Sequence, residues 1–457
     1  MRELFHNGEE DRQFLFSFFL IFYYNIKTMP KQNKIRKSIW YSLWDGIFAS
    51  LMFGLTTDYI TPYALVLKAT TKEIGILSAS SNLFSSLIQL KSADITEKLR
   101  SRKKIINSFV LLHALMFIPI ILIPYIFKEK TILFLIISVV LLNSFNAFAV
   151  PAWQSLVSEY IPKNKRGKFF GERNKLFQTI VILSSFSAGF ILQIHKQNPL
   201  KGFMLIFILA FIFRLISWFF LTRMYEPHFR IKPEYYFSFF DFIRRIRESN
   251  FLKFVIFVSS LNFSVNIAAP FFSVFMLRDL KFNYIVYTIL ITTVAIFSIL
   301  MVDRWGRNAD RVGNVKVLRL TSYFIACLPF LWIINHHPLY LILIQALSGF
   351  AWSGFNLSAT NFIFDAVRPE KRTRCVAYFN VFNGTCSSLG ALLGGFLVRY
   401  LPSLKGYKIL TLFLISSSLR WLVVLSFSSR IKEVRDVEEI SIKKLFLRIT
   451  GLEKLTH

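Results

Sequence analysis

The chain has 457 residues, of which 54% are hydrophobic and only 18% are charged, and its mean hydropathy is +0.49. An average soluble domain has about 45–50% apolar and about 25% charged residues, so this composition excludes an ordinary soluble domain. The net charge of +29 would suit a nucleic-acid-binding protein. However, Lys and Arg lie in the gaps between long apolar runs, which argues against nucleic acid as a partner. The long apolar runs predict an all-α polytopic membrane protein, because a helix that crosses a bilayer needs about 20 apolar residues. A membrane barrel is disfavoured, since its strands would alternate in polarity.

The N-terminal segment, residues 1–38, is predicted to be a cytoplasmic lead-in. Its run Phe14–Tyr24 is apolar but too short to cross a bilayer, which needs about 20 residues. A secretory signal would carry a basic start and a small-residue cleavage site, and neither is present in this stretch. Residues 1–28 are therefore interpreted either as lying upstream of a true start at Met29 or as a loose interfacial segment.

Hydropathy predicts twelve transmembrane segments. Their approximate bounds are 39–62, 73–92, 105–127, 131–153, 171–194, 202–222, 251–277, 283–302, 316–334, 338–362, 375–400 and 407–428. A polar stretch at 223–250 separates the sixth segment from the seventh and is predicted to be a cytoplasmic central loop. The chain thus divides into an N-terminal six-helix bundle, 39–222, and a C-terminal six-helix bundle, 251–428, followed by a cytoplasmic tail at 429–457.

The distribution of basic residues predicts the orientation of these segments. Of the 55 Lys and Arg residues, 42 lie in or beside the two tails and the loops after even-numbered segments, and 11 lie on the other side. Short cytoplasmic loops carry the positive excess in membrane proteins. Both termini are therefore expected in the cytoplasm, in a cell (inner) membrane whose anionic lipids attract the basic side.

The chain contains an internal repeat. At an offset of 206, the residues after the fourth segment match those after the tenth, and later matches follow without any shift. The matched pairs are Glu159 with Asp365, Arg166 with Arg372, Asn174 with Asn380, Gly189 with Gly395, and Arg214 with Arg420. Two halves in the same orientation are parallel repeats, related by an axis along the membrane normal.

A second match, at an offset of 213, involves the loops after segments 2 and 8. The later copy contains Gly306, Asp310, Arg311 and Gly313, whereas the earlier copy has Ala93, Glu97, Lys98 and Arg100. With this signature, the chain resembles the major facilitator superfamily, whose loop motif reads roughly G-x-x-x-D-R-x-G-[RK]; Asn314 stands where a base is usual. The resemblance covers residues from about 35 to about 430. It implies a twelve-helix secondary transporter that carries a small solute by alternating access, as a monomer.

The signature loops are candidate gating elements, because contacts made in one conformer and broken in another bias the equilibrium between end states. Asp310 is expected near the start of the ninth helix, Arg311 is expected to reach Asp365, and Glu97, Lys98 and Arg102 are expected to pair with Glu159. The full set is Gly306, Asp310, Arg311, Gly313, Glu97, Lys98, Arg102, Glu159, Arg166, Asp365 and Arg372. The alternative is a solvated basic loop that only sets the topology.

Four charges lie well inside the predicted segments, away from the clusters of basic residues at their ends, where an ionised side chain usually faces protein or water. Asp45 and Arg214 lie at compatible depths and are predicted to form a buried pair, with either a structural role or a role in substrate or proton binding. Arg420 has no acid at equal depth in its own half and is expected to snorkel or to meet backbone carbonyls. Asp58 is either a titratable cavity residue or an exposed helix-end residue.

The resemblance implies a substrate cavity lined by helices 1, 4, 7 and 10. Polar side chains in three of these helices are the candidates: Asn143, Asn146, Ser259, Asn262, Asn266, Gln345, Trp352 and Asn356. Amides both donate and accept hydrogen bonds, which suits a neutral or zwitterionic solute. The alternative is hydrogen bonding between helices.

Catalysis finds little support in the sequence. The seven His residues are scattered, no phosphate-cradling G-x-x-x-x-G-K-[ST] run is present, and the three Cys residues lie in or beside apolar segments. The chain is therefore predicted not to be an enzyme and to use no cofactor or metal. The rival interpretations are a transporter-like sensor or scaffold and a polytopic membrane enzyme. Substrate, direction, coupling ion (protons being one option) and end state stay open.

Overall fold

The structure is a computed structural model that describes residues 33–99, 101–162, 165–227 and 249–438, together with Leu445 and Ile449; it describes only the backbone at 93–94, 96–98, 369–371 and 373. The predicted segment 1–28, most of the central loop and most of the tail after Glu438 lie outside these residues. Within them, all regular elements are helical, apart from an isolated bridge between Leu404 and Tyr407.

The helices run in the following order. The N-terminal half contains α1 (Asn33–Thr56), α2 (Ile60–Val66), α3 (Thr71–Leu99), α4 (Arg102–Leu115), α5 (Phe117–Ile126), α6 (Thr131–Tyr160), α7 (Arg166–Ile194) and α8 (Pro199–Thr222). The C-terminal half contains α9 (Asn250–Asn266), α10 (Phe271–Val274) with the π-helical turn Phe275–Asp279, α11 (Tyr284–Val312), α12 (Asn314–Ile334), α13 (Pro338–Ala366), α14 (Pro369–Leu397) and α15 (Lys408–Phe427).

These helices form twelve rods, because α1 continues into α2, α4 into α5, and α9 into α10. Among the described residues, nine rods are long and apolar enough to cross a membrane. The other three, α1–α2, α3 and α14, are as long but more polar. Two of these, α3 and α14, pack against each other between the halves, which explains why they need not be as apolar as lipid-facing helices. The predicted fold of twelve spans in two six-helix repeats is confirmed.

Local sequence explains where several helices begin. Before α3, Thr70 and Glu73 form a capping box: the Glu73 carboxylate accepts from the Thr70 backbone N–H (2.8 Å), and the Thr70 hydroxyl accepts from that of Glu73 (3.3 Å). The Asn283 side chain accepts from the Val286 N–H at 2.8 Å at the start of α11. Ser101 caps α4 in the same way, through the Lys104 N–H at 3.2 Å.

The helices extend beyond the lipid-sized segments that hydropathy predicts. The eighth segment is predicted to end at 302 and the ninth to begin at 316, but α11 runs to Val312 and α12 begins at Asn314. Gly313 alone connects them, with φ +92° and ψ 157°. The predicted loop between 302 and 316 is therefore wrong, because hydropathy reports the apolar thickness of the bilayer and a helix can continue past it into water.

The two halves share one core at one end of the bundle and have separate cores at the other. We call the end that holds Asn33 and Glu438 the tail end, and the opposite end the far end. At the far end, one apolar cluster joins Tyr59 and Tyr63 of the N-terminal half to Phe271 and Tyr287 of the C-terminal half. At the tail end, the apolar clusters of the described residues each belong to one half, apart from Leu90 of α3, which packs against a C-terminal cluster.

Candidate functional site

A repeated arginine terminates the fourth helix of each half. The Arg166 guanidinium donates to the carbonyl of Ile161 at 3.0 Å, and that of Arg372 donates to the carbonyl of Val367 at 3.3 Å. Ile161 and Val367 follow α6 and α13, and they differ by the same offset of 206 as the two arginines. Both arginines thus satisfy carbonyl groups that a helix end leaves unpaired. Their predicted part in gating stays a prediction.

The predicted Arg102–Glu159 contact is present at the tail end of the N-terminal half. Arg102 is 4% exposed, and its guanidinium lies 2.6 Å from Glu159. Glu226, which the sequence did not single out, lies 3.6 Å from the same guanidinium and also accepts from the Arg102 backbone N–H at 2.6 Å and from the Ser101 hydroxyl at 2.7 Å. One carboxylate that follows the sixth rod therefore caps the third.

In the C-terminal half, the predicted Arg311–Asp365 pair is wrong in its cation. Asp365 accepts from the Asn314 amide at 2.7 Å and pairs with Arg435 at 3.1 Å. Arg311 lies in the last turn of α11 with its side chain exposed, and its carbonyl accepts from the Glu438 N–H at 3.0 Å. The segment after α15 folds back onto α11 and brings in the arginine that reaches Asp365.

The expectation that Asp310 lies at the start of the ninth helix is also wrong. Asp310 lies in the last turn of α11, 73% exposed and 3.9 Å from Arg435. The acid at the start of α12 is Glu433, which accepts from the Val315 N–H at 2.8 Å. Glu433 therefore has the place in the C-terminal half that Glu226 has in the N-terminal half.

The two signature glycines differ in what the backbone requires of them. A Cβ at Gly313 would lie 2.3 Å from the Glu433 carboxylate, and its positive φ disfavours any other residue. Gly306 lies inside α11, where a Cβ would meet only Leu357 at 3.7 Å, an ordinary contact. No neighbouring atom therefore requires a glycine at position 306. The side chains of Glu97 and Lys98 lie outside the described part of the chain.

The predicted Asp45–Arg214 pair is indirect. The Ser217 hydroxyl donates to the Asp45 carboxylate at 2.7 Å and accepts from Arg214 at 3.2 Å. The Arg214 guanidinium also donates to His113 at 3.3 Å and to Asn146 at 3.4 Å. A serine one turn along α8 therefore joins the two charges, and neither is in direct ion contact with the other.

The remaining two intramembrane charges have different surroundings. Arg420 is 3% exposed and donates to the carbonyls of Ile325 at 2.9 Å and Val265 at 3.4 Å, as one of the two alternatives predicts. Asp58 lies in the turn between α1 and α2 with an exposed side chain, and its carbonyl accepts from the Tyr287 hydroxyl at 2.6 Å.

A cavity of about 290 Å³ opens within the N-terminal half, on the tail side of the shared core. Its lining includes Asp45, Asn146, Trp153, Arg173, Phe177 and Arg214. Arg173 is 7% exposed, and its guanidinium lies 4.2 Å from the ring centroids of both Trp153 and Phe177. Arg173 was not predicted as a site residue. The available signal was its place within the bounds of the fifth predicted segment, near the start, where it was counted as a flanking charge.

The other predicted cavity residues are used in several ways. Asn262 donates to Asn383 at 2.8 Å, Asn266 donates to the Asn262 carbonyl at 2.9 Å, and Gln345 donates to the Leu290 carbonyl at 3.1 Å. Asn143 lines a second cavity, of about 210 Å³. Ser259 is buried, Trp352 packs edge-on against Phe355 and Asn356 is exposed. Asn143 and Asn146 therefore line cavities, while three other amides hydrogen-bond within or between helices.

Two pairs of rods make most of the contact between the halves. In one pair, Cβ atoms at Gly75 of α3 and Gly395 of α14 would lie 2.8–3.0 Å from the other helix's backbone, and Asn380 donates to Gln89 at 3.0 Å. In the other pair, a Cβ at Gly189 of α7 would lie 2.0 Å from the Thr288 hydroxyl of α11. Lys175 and Asp303 then form an ion pair at 2.5 Å nearer the tail end.

Across the described ranges, no group of three or more His, Cys, Asp or Glu side chains could hold a metal ion. The cysteines Cys327, Cys375 and Cys386 are free thiols.

A sequence model of the Major Facilitator Superfamily matches the chain twice, over residues 46–266 and 252–449. No curated protein sequence matches. Solved structures with a similar fold include the nucleoside transporter NupG, which is 17% identical with a TM-score of 0.64 over 86% of this chain and 99% of that one. Another is a mutant of NupG, which is 18% identical with a TM-score of 0.63 over 86% and 100% of the two chains. A bacterial homologue of the human lysosomal transporter Spinster, in an inward-facing and unoccupied conformation, is 13% identical with a TM-score of 0.62 over 89% and 100%. At these identities the likeness to solved structures shows the fold alone.

Proposed function

The chain belongs to the Major Facilitator Superfamily, and from this premise we propose that it carries its solute by rocking two halves about the N-terminal cavity, with the tail end in the cytoplasm. It is a multi-pass membrane protein and a secondary transporter of a small solute, not an enzyme. The observation that carries the proposal is the core, which is shared at the far end and divided at the tail end. That arrangement is what a cytoplasm-open state of such a carrier requires.

The excess of Lys and Arg at the tail end supports the orientation. In the proposed orientation both termini lie in the cytoplasm, in a cell (inner) membrane whose anionic lipid the basic side attracts. A single-cysteine experiment tests this independently of any substrate. In a variant lacking Cys327, Cys375 and Cys386, a membrane-impermeant maleimide applied to intact cells should label a cysteine at Glu129 and not one at Lys168. The reverse pattern would invert the proposed orientation.

Besides apolar packing, a few hydrogen bonds between the halves hold the far end closed. The hydroxyls of Tyr59 and Thr288 hydrogen-bond at 2.7 Å, and the Tyr287 hydroxyl donates to the Asp58 carbonyl. Opening towards the far end has to break these contacts, while closing the tail end has to bring its divided cores together. The Lys175–Asp303 ion pair is the contact from which that closure would start, because it already spans the halves near the tail end.

The tail-end charge networks act within each half. Arg102, Glu159 and Glu226 join α4, α6 and the segment after α8, whereas Arg435 joins Asp365 of α13 and Asp310 of α11. We assign these networks to holding each half rigid while the halves rock. The second network includes Asp310, which belongs to the copy of the loop motif that matches the family pattern better. Asp310→Asn should therefore lower transport more than Glu97→Gln, with normal membrane insertion of both variants.

Flux in liposomes tests the transport itself. Purified protein, acting as a monomer, should move at least one of lactate, benzoate, ribose 5-phosphate and their neutral counterparts lactamide, benzamide and ribose faster than protein-free liposomes do. An imposed pH gradient decides between facilitated movement and proton coupling, for which Asp45 and Asp58 are the acids available within the membrane. Specific binding without flux in any of these conditions would favour the alternative, a non-transporting sensor.

A further inference from the structure

Arg173 differs from the other buried arginines in having no polar partner. Arg102 contacts two carboxylates, Arg214 donates to three neutral groups, and Arg420 donates to two carbonyls. Among the described residues, Arg173 makes neither an ion pair nor a hydrogen bond; its contacts are the rings of Trp153 and Phe177. Its Nε is buried without a partner, and its side chain lines the cavity.

A buried cation without a direct ion pair is unfavourable, because it loses hydration and gains only the attraction of a carboxylate, Asp45, that it does not contact. The two aromatic contacts return part of that loss but offer no oxygen or nitrogen acceptor to the guanidinium N–H groups. The edge of the guanidinium, which carries these donors, remains for a ligand in the cavity. The planar fork of N–H groups at that edge matches a carboxylate or a phosphate through two parallel hydrogen bonds.

The charge balance of the cavity also favours an anion. Asp45 and Arg214 lie on either side of Ser217 and offset each other. Arg173 therefore leaves the lining with one excess positive charge among groups that are 5–7% exposed. In such a low-dielectric setting a charge interacts more strongly than it does in water, so the cavity discriminates by charge.

The fold itself does not require this arginine. At the repeat offset of 206, Arg173 corresponds to Phe379 and Trp153 corresponds to Ala359. Phe379 stacks on Phe254 inside the C-terminal core. The same helix position thus holds an apolar residue in the C-terminal half and a buried cation in the N-terminal half. This difference indicates a ligand-binding role in the N-terminal half only.

We propose that the N-terminal cavity binds the anionic group of the solute, that Arg173 is the residue that holds it, and that the substrate is a small organic acid bearing a carboxylate or a phosphate. This rests on the proposed function for its reading as substrate binding. The volume of about 290 Å³ lies at the lower end of the range for small-molecule sites, about 300–1,000 Å³. The proposed anionic substrate differs from the neutral or zwitterionic solute that the amide side chains in the sequence favoured, because Arg173 was not among the predicted cavity residues.

Ligand-dependent thermal unfolding of the purified full-length protein tests the assignment. The probes are lactate, benzoate and ribose 5-phosphate, each compared with its neutral counterpart lactamide, benzamide or ribose. At least one anion should raise the unfolding temperature above the shift from its counterpart. Arg173→Gln should weaken that anion's binding at least tenfold. Lys168→Gln, which removes an exposed positive charge from the same helix, should leave the shift unchanged.

Unfolding without ligand separates a binding role from a structural one. Since the charge is buried and unpaired, Arg173→Gln should unfold at the same temperature as the unsubstituted protein or at a higher one; a lower temperature would indicate a structural residue. The assignment is overturned if no anion in the set stabilises the protein, if the neutral counterparts do so equally, or if Arg173→Gln retains the shift.

Carboxylate and phosphate are distinguished in the same experiment by which anion responds. Liposome flux keeps the two proposals apart. Movement of a neutral solute with no response to anions would leave transport standing and refute the anion site. Anion binding that depends on Arg173, without flux, would leave the site standing and refute transport.

Discussion

Gly313 is the single residue between two helices that together run from Tyr284 to Ile334. Its φ and ψ fall in a region that is essentially restricted to glycine, where other residues are strained by about 1–3 kcal/mol. The Glu433 carboxylate occupies the space that a Cβ would need. Gly313 therefore meets two requirements at once: its backbone conformation suits glycine, and its lack of a side chain leaves room for the Glu433 cap of α12.

Gly313→Ala should lower the free energy of unfolding by at least about 1–3 kcal/mol, because strain and the clash with Glu433 act together. Gly306→Ala is the matched change, and it should be neutral or stabilising by up to about 1 kcal/mol, since alanine favours a helix interior. Thermal unfolding in detergent measures both. Equal losses would mean that the shared motif, rather than local geometry, explains the two glycines.

Ser217 joins two charges and is fully buried. Ser217→Ala removes the hydrogen bond described for Asp45 and should lower stability by about 1–3 kcal/mol, the typical effect of an unsatisfied buried polar group. Ser187→Ala is the control, because that exposed hydroxyl donates only to a carbonyl of its own helix, at 3.1 Å. If the two variants unfold at the same temperature, Ser217 is not the link between the charges.

At the scale of elements, the repeated feature is a carboxylate that follows the last rod of a half and caps the third. Glu226 accepts from the Ser101 hydroxyl and from the backbone at the start of α4, and Glu433 accepts from the backbone at the start of α12. Both place negative charge where the helix dipole is positive. Each cap connects the segment after the last rod of a half to the start of the third rod of that half.

Glu433→Ala should lower stability by about 1 kcal/mol, the usual effect of losing such a cap. Glu226→Ala should lower it by more, because Arg102 then also loses one of its two carboxylates. Chemical or thermal unfolding compares them with Glu129→Ala, at an exposed turn residue. An unchanged midpoint in both cap variants would contradict the capping role.

The helices and the repeat were predictable because each depends on a pattern in the sequence itself, apolar length in one case and matching residues in the other. Glu433 and Arg435 were not, because they act only once the segment after α15 folds back over α11. Asp310 was misplaced because hydropathy does not mark where a helix ends in water. Arg173 was missed because its surroundings come from two other residues, Trp153 and Phe177, that become its neighbours only in the fold.

For the whole molecule, the balance between end states depends on the contact between α3 and α14. Gly75 allows the two backbones to meet at the far end, where a Cβ would lie 2.8 Å from the Ala391 carbonyl. Packed interfaces of this kind switch between discrete arrangements rather than deform continuously. A larger side chain at Gly75 should therefore shift the population towards the opposite arrangement.

Gly75→Leu should shorten the distance between spin labels at Lys168 and Arg307, exposed residues near the tail ends of α7 and α11. The reason is that a far end that cannot close favours a closed tail end. Pulsed electron–electron double resonance measures the distance between the two labels. Gly171→Leu, in open space, should leave it unchanged, and a longer distance in Gly75→Leu would contradict the rocking motion.

The shared far-end core has a kinetic consequence. If the empty protein rests open to the tail end, a solute on the far side finds its site exposed only in the minor state. Apparent affinity falls in proportion to that fraction, so a state populated at about 1% weakens it about a hundredfold. Half-saturation is therefore expected at a higher solute concentration from the far side than from the tail side, while the equilibrium distribution of the solute is unaffected.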